Sequence, residues 1–260
     1  MKRRCPDAVS EFDLVIDPQT LDRFPDVRVA GFLALDVHRS HEALAGSAGA
    51  LAAEAAAVLR THFAAPGDVL RDERIEGWRS AFRACGLKAS EVRSSVEQLV
   101  RRLLRDDRLG MPLPIVEAYC ALSAMHVAPL GAYDLDRLPS SELILRPARA
   151  GDSFEPLGGS ASKMPLDPRV IVYAAGDEVL CWAFNHRDSA RTCLRPETTR
   201  AVFIGEALTA SQRPALLAAL EGLRDVLTDH GASVEPLVVA DAGQPRVSVA
   251  ASRAAGSDSA

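Results

Sequence analysis

The chain has 260 residues, of which 48% are apolar and 25% are charged, with a net charge of −5. This length and composition favour one large α/β or α+β domain and exclude a disordered, collagen-like or coiled-coil chain. The longest stretch of low charge, residues 43–59, contains Glu54 and falls short of the roughly 18 apolar residues that a membrane-spanning helix needs. No membrane partner is therefore expected.

The amino terminus and the cysteines favour a cytoplasmic protein. The basic residues 2–4 are followed by acidic residues rather than by the apolar core of a secretory signal. The five cysteines are widely spaced and form no Cys-x-x-Cys pair, which argues against a disulfide framework and a zinc site. His38 and His41 have no third metal ligand nearby in the sequence, so we expect no metal and no other cofactor.

The first half of the chain predicts two strands and then a helical block. Apolar residues alternate over residues 12–16 and 27–37, as they do in half-buried strands. Helices are predicted over residues 40–63, over 75–85 up to Gly86, and over 115–126. Between the last two, Ser90 is a candidate cap for a helix whose apolar stripe runs from Val92 to Leu104.

The second half returns to strands. Residues 143–146, 170–174, 179–184 and 201–204 have strand-like composition, residues 211–230 predict a last helix, and a strand is expected near 234–239. We predict an α+β fold with a mostly antiparallel sheet and helices packed on one side. Residues 12–240 are expected to form a single domain, with flexible segments at 1–11 and 241–260.

Positive charge is concentrated in one segment of this acidic chain. Residues 71–108 contain ten basic and seven acidic side chains, a net charge of +3. On the third predicted helix, Arg93, Arg101, Arg105 and Arg108 lie opposite the apolar stripe. Such a face could follow a phosphate backbone or could be an ordinary solvated helix surface.

The most polar segment next to a predicted strand is the loop of residues 185–192, which reads Asn-His-Arg-Asp-Ser-Ala-Arg-Thr. It could bind an anionic or ester-bearing ligand through its two arginines. It could equally be a surface hairpin in which Asp188 pairs with an arginine. The earlier Gly158-Gly159 pair permits close approach of a ligand, or forms a tight turn.

Several of these segments, in this order, resemble freestanding B3/B4 tRNA-binding domain proteins. The matching motifs are Trp78-Arg79-x-x-Phe82-Arg83-x-x-Gly86, Arg93-Ser94-Ser95-Val96-Glu97, Tyr133-Asp134-Leu135-Asp136, Leu145-Arg146-Pro147-Ala148-x-x-Gly151-Asp152-x-Phe154-x-Pro156-Leu157-Gly158-Gly159 and Asn185-x-Arg187-Asp188-Ser189-x-Arg191-Thr192. The likeness extends from about residue 12 to residue 239. This family is similar to the editing domain of the phenylalanyl-tRNA synthetase β subunit.

The resemblance implies binding of the tRNA acceptor end and hydrolysis of a misacylated aminoacyl-tRNA, without metal or organic cofactor. The expected catalytic residues are Asn185, Arg187, Asp188, Ser189, Arg191 and Thr192. The expected substrate-binding residues are Arg79, Arg83, Ser94, Arg146, Phe154, Glu155, Gly158 and Gly159. In this scheme Arg187 and Arg191 stabilise the oxyanion, while Asp188 orients a neighbour or receives the α-ammonium group.

Two departures from the family pattern keep other functions open. Gly131 stands where the synthetase domain has a histidine, and Cys120 stands where both groups usually have an asparagine. A non-catalytic RNA-binding module of the same fold is therefore one alternative. A protein that binds a small amino acid or ester without tRNA is another, and the acidic net charge fits it.

Overall fold

The computed structural model describes residues 11–159 and 166–250. The strands are β1 (Glu11–Ile16), β2 (Arg28–Leu35), β3 (Leu130–Asp134), β4 (Glu142–Pro147), β5 (Ile171–Ala175), β6 (Glu178–Trp182), β7 (Arg187–Asp188), β8 (Arg200–Ala207), β9 (Ser233–Val234), β10 (Val238–Ala240) and β11 (Arg246–Ala250). The helices are α1 (Pro18–Arg23), α2 (Val37–Ala43), α3 (Ala48–His62), α4 (Glu73–Ala84), α5 (Ser95–Asp106), α6 (Pro114–His126) and α7 (Arg213–Asp229).

The strands form two sheets. One has the order β11-β1-β4-β5-β6-β7, and the other has the order β10-β2-β8-β3 with β9 also paired to β2. Among the described strand pairs only β1 and β4 run parallel, so the predicted α+β fold with mostly antiparallel pairing is confirmed.

Two neighbouring residues of β8 show how the two sheets and the helices are layered. A Cβ atom on Gly205 would lie 2.6 Å from Leu216 of α7, so this position faces the helices. The next residue, Glu206, accepts a hydrogen bond from the Tyr173 hydroxyl of β5 at 3.0 Å. Because successive residues of a strand point to opposite faces, the five-stranded sheet lies between the helices and the six-stranded sheet. The helices α3, α5, α6 and α7 contact one another on that one side.

Several predicted boundaries are wrong. The helix expected over residues 40–63 is divided into α2 and α3 by a short 3-10 turn at Leu44–Gly46. The helix expected to begin after Ser90 is instead capped by Ser94, whose hydroxyl accepts from the Glu97 N–H at 3.2 Å. The sequence patterns did not predict α1 or β3.

Five residues of the expected carboxy-terminal tail are part of a sheet. They form β11, which pairs with β1 in an antiparallel ladder and so belongs to the six-stranded sheet. The remainder of the expected tail, residues 251–260, and nearly all of the expected flexible start, residues 1–10, lie outside the described residues.

Among residues 11–159 and 166–250, no single helix has the length and apolar character to cross a membrane. The segments Val37–Gly46 and Ala48–His62 reach that length only when they are taken together across a bend of 71°.

Candidate functional site

Two adjoining spaces form the candidate site. A groove of about 500 Å³ runs along α5 and α6. A smaller inner cavity of about 20 Å³ is lined by residues of both sheets and by the start of α5. Ser95, Leu130 and Asp188 line both spaces, so the inner cavity lies at the bottom of the groove.

One side of the groove is an arginine wall, formed by Arg93, Arg101, Arg102 and Arg105 of α5 and the turn before it. Arg101, Arg102 and Arg105 project from α5 because the opposite side of the helix packs its apolar residues into the core. The wall makes this part of an acidic protein suitable for an anionic ligand.

A buried carboxylate beneath the arginine wall fixes part of it. Glu97 is fully buried and accepts two hydrogen bonds of 3.2 Å from Arg79. Its Oε1 atom also lies 3.8 Å from Arg93 Nε and 3.6 Å from Arg101 Nη1. One negative charge therefore neutralises part of a cluster of three arginines and holds two of them at the groove.

The rest of the groove is largely apolar. Its apolar lining residues are Leu99, Met111, Val116, Tyr119, Cys120, Leu130 and Leu157. His186 also lines it, and its Nδ1 lies 2.7 Å from the Arg93 carbonyl. Because a carbonyl can only accept, Nδ1 carries the proton and Nε2 keeps its lone pair. Burial lowers the pKa of His186, so the ring is neutral at pH 7.

Two carboxylates, Asp188 and Glu206, line the inner cavity. Glu206 is only 3% exposed and receives hydrogen bonds from Tyr173 and from Asn185 Nδ2. Burial raises the pKa of Glu206 to about 7, with a smaller contribution from the nearby charge of Asp188. Burial likewise raises the pKa of Asp188 to about 6, partly opposed by a hydrogen bond with the Cys181 thiol.

An unusual turn brings the polar loop to the cavity. Ala183 and Phe184 have φ angles of +54° and +58°, a region that costs residues with a Cβ atom of the order of 1–3 kcal/mol each. Phe184 is fully buried and packs edge-on against Phe24 and Trp78 at 5.3 and 5.5 Å. This packing stabilises the turn and places Asn185 beside the first residue of α5.

Asn185 connects three parts of the site. Its side-chain oxygen and its backbone carbonyl each accept from the Ser95 N–H at 3.2 Å, and its Nδ2 donates to Glu206. The Ser95 Oγ atom is buried without a hydrogen-bond partner among the described residues and lies at the junction of groove and cavity. Asn185 and Asp188 are the two predicted catalytic residues that the fold brings into this site.

The other predicted catalytic residues lie elsewhere. In the pairing of β6 and β7, Asp188 is opposite Cys181, which lines the cavity, whereas Arg187 is opposite Trp182, which does not. Strand alternation therefore turns Arg187 away from Asp188, and Arg187 lines neither the groove nor the cavity. The structure therefore does not bring Arg187 together with Asp188, and its expected role in stabilising the oxyanion stays a prediction.

Ser189, Arg191 and Thr192 belong to a different part of the loop. Ser189 is buried and donates to Glu178 at 3.4 Å. Arg191 forms an ion pair with the same carboxylate at 3.2 Å. Arg191, Thr192 and Glu178 line a separate cleft of about 310 Å³, so these residues do not face Asp188 together.

Most of the predicted substrate-binding residues hold the fold instead. Arg146 is buried and forms two hydrogen bonds, of 2.8 and 2.6 Å, with Asp152. Ser94 is the helix cap described above, and Phe154 is part of the core. Arg79 is committed to Glu97, and Arg83 to Glu76.

The glycine-containing loop lines the groove through Leu157 and not through the residues predicted to bind substrate. Glu155, Gly158 and Gly159 are exposed and do not line the groove. Leu157 does line it, and its N–H donates to the Asp188 carbonyl at 2.8 Å. The loop therefore supports the groove beside β7.

Sequence reasoning did not identify Glu206. The available signal was one carboxylate in strand β8, whose residues between Arg200 and Glu206 carry no other polar side chain. Nowhere in the part of the chain that the structure describes do three His, Cys, Asp or Glu side chains converge as metal ligands.

Comparisons with known proteins place these features in a family context. The model of the family described as B3/4 domain matches residues 77–214, which is more than half of the chain. No curated protein matches the sequence. Among solved structures, the chain is similar to an N-terminal fragment of the phenylalanyl-tRNA synthetase β-subunit from Pyrococcus horikoshii, with 11% identity and a TM-score of 0.45. That likeness covers 85% of this chain and 49% of the other, so the chain spans about half of that fragment.

Proposed function

The chain belongs to the B3/4 domain family, and from this membership we propose that it binds tRNA and hydrolyses the ester bond of wrongly charged aminoacyl-tRNA. The observation that carries the proposal is the arginine wall beside a groove that ends at the carboxylate of Asp188. We propose on the same ground that the protein acts in the cytoplasm and that hydrolysis needs no added metal or organic cofactor.

The groove has the size and polarity for the acceptor end of a charged tRNA. Its volume of about 500 Å³ lies within the range of roughly 300–1,000 Å³ typical of small-ligand sites. The arginine wall can bind the phosphates of the terminal nucleotides, and the apolar lining can contact a base or an amino-acid side chain. The local basic surface accounts for RNA binding by a chain of negative net charge.

Asp188 is the group best placed to activate water. An aminoacyl ester is already reactive, so hydrolysis needs chiefly an oriented water and stabilisation of the oxyanion. With its pKa raised to about 6 by burial, the Asp188 carboxylate is mostly ionised at pH 7 and is a stronger base than an exposed aspartate.

The proposed reaction proceeds in two steps. A water in the groove attacks the ester carbonyl while Asp188 accepts its proton, and the carbonyl electrons form an oxyanion. The oxyanion then collapses, the bond to the ribose oxygen breaks, and the Asp188 proton passes to that oxygen. The products are the free amino acid and uncharged tRNA.

The test is deacylation of a panel of tRNAs, each charged with a labelled cognate or non-cognate amino acid, at low ionic strength. We expect Asp188→Asn to slow hydrolysis by about 100-fold or more while RNA affinity changes only a few-fold. Asp177→Asn is the matched control, because Asp177 is exposed and lines neither the groove nor the inner cavity. The control is expected to retain full activity.

Two other results would replace the proposal. If every ester survives while a gel shift still shows RNA binding, the protein is a non-catalytic RNA-binding module. If tRNA does not bind even at low salt while a free amino acid or a small ester does, the groove serves a small molecule instead.

A further inference from the structure

The inner cavity has a lining that suits a small cation. It is about 20 Å³ in volume, which is room for a group about the size of one water molecule. Two carboxylates face it, and none of its lining residues is a lysine, arginine or histidine. The remaining polar groups in the lining include the Ser95 hydroxyl, which is buried without a partner among the described residues.

The hydrogen bonds to the two carboxylates leave their charge unbalanced. Glu206 receives only neutral donors, Tyr173 and Asn185, and Asp188 has only the Cys181 thiol as a side-chain partner affecting its pKa. No cation of the described residues contributes to the pKa of either carboxylate. Buried carboxylates normally have a cationic partner or take up a proton, and the raised pKa values of both groups reflect this imbalance.

We propose that the inner cavity is a subsite for the free α-ammonium group of the aminoacyl ester, with Glu206 as its principal partner and Asp188 as its second. This inference rests on the proposed function, because it assigns one part of the same substrate to one part of the same site. A primary ammonium brings one positive charge and three N–H donors. Glu206 and Asp188 can accept two of them, and the unpartnered Ser95 Oγ can accept the third.

The subsite explains how the ester is oriented in the groove. The arginine wall attracts the phosphates, whereas the two carboxylates attract the opposite end of the substrate. The ester between them then lies next to Asp188, which lines both spaces. Binding of the ammonium chiefly favours the ionised form of Glu206, its principal partner.

The subsite predicts a specific substrate class, namely esters with an unblocked α-amine. An N-acetyl group removes the positive charge and is too large for a cavity that accommodates one water-sized group. Acylated forms should therefore be rejected whatever the amino-acid side chain.

The experiment measures binding of short RNA hairpins whose 3′ end carries an amide-linked amino acid that cannot be hydrolysed. Alanyl, seryl and phenylalanyl hairpins are each compared with their N-acetyl forms and with the uncharged hairpin. Wild type should bind the free-amine forms at least about tenfold more tightly than the N-acetyl forms, because a charge-assisted contact is lost. Glu206→Gln should weaken binding of the free-amine hairpins by about threefold or more and leave the N-acetyl and uncharged hairpins unchanged, while Asp177→Asn should bind all forms as wild type does.

Each outcome decides the inference. Equal affinity of wild type for the free-amine and N-acetyl forms would overturn the subsite, even if the protein folds and binds RNA. If Glu206→Gln fails to fold, the wild-type comparison still decides.

If no hairpin binds, the proposed function fails, and thermal protection by alaninamide against N-acetylalaninamide then tests the subsite alone. A higher melting temperature with alaninamide but not with N-acetylalaninamide would support the subsite. An equal increase with both compounds, or no increase, would refute it.

Discussion

Replacing Glu206 with glutamine tests whether the buried carboxylate titrates in the folded protein. An unshifted glutamate has a pKa near 4.5, and burial raises that of Glu206 to about 7. Between these values the folded state binds a proton that the unfolded state has released. Wild-type stability must therefore fall as the pH rises from about 4.5 to about 7, and a shift of this size corresponds to about 3 kcal/mol.

Glutamine keeps the shape and most of the hydrogen bonds of this site. Its side-chain oxygen can accept from Asn185, and the Tyr173 hydroxyl can rotate to accept from its amide nitrogen. The variant lacks the titrating proton, so its stability relative to wild type should improve by about 2.5 kcal/mol between pH 5 and pH 8. Most of the slope due to Asp188 remains in both proteins and cancels in the difference, because the charge of Asp188 is the smallest of the causes that shift the Glu206 pKa.

Chemical denaturation at fixed ionic strength and several pH values between 5 and 8 measures the effect. The relevant quantity is the pH dependence of the difference in the free energy of unfolding, because any loss of packing is the same at every pH. Glu155→Gln, at an exposed glutamate, should give a curve parallel to that of wild type. A difference between Glu206→Gln and wild type that is constant from pH 5 to pH 8 would refute the reasoning.

Long, periodic elements were predictable from the sequence. The apolar stripe and the arginine face of α5 follow directly from residue spacing, and α7 and the strands β1, β2 and β8 were also located. The cap of α5 could have been predicted, because Ser94 is followed three residues later by Glu97, the spacing of a capping box, whereas Ser90 is followed by Arg93. The contact of Ser95 with Asn185, 90 residues away, could not.

The site itself was predictable only in part, because its membership depends on the side of the strand to which each side chain points. Residue types marked the polar loop as unusual, yet Arg187 and Asp188 are adjacent in sequence and point to opposite faces once β7 pairs with β6. A single glutamate in β8 is typical of a solvent-facing position. Only the meeting of the two sheets shows that Glu206 points inward to Tyr173.

Three further substitutions test the remaining parts of the site and fold. Arg102→Ala removes an exposed cation of the arginine wall. Gel shifts between 50 and 200 mM salt should show weaker RNA binding, and the slope of log affinity against log salt should be reduced by about 0.7–0.9. An unchanged slope would show that Arg102 does not contact the RNA phosphates. Arg146→Met leaves the Asp152 carboxylate buried without its ion-pair partner. This should lower the free energy of unfolding by about 3–5 kcal/mol. A loss below about 1 kcal/mol would show that the Arg146–Asp152 ion pair is not a buried one. Glu97→Gln separates two opposing effects on RNA binding. Removing a negative charge beneath the arginine wall should strengthen binding if net charge alone matters. Loss of the carboxylate also releases the arginines that it holds within 3.2–3.8 Å, which should weaken binding. We expect positioning to prevail, because without Glu97 these guanidinium groups repel one another and turn towards solvent, so RNA affinity should fall although the protein becomes more positive. Tighter binding by Glu97→Gln would show that the wall acts through charge alone.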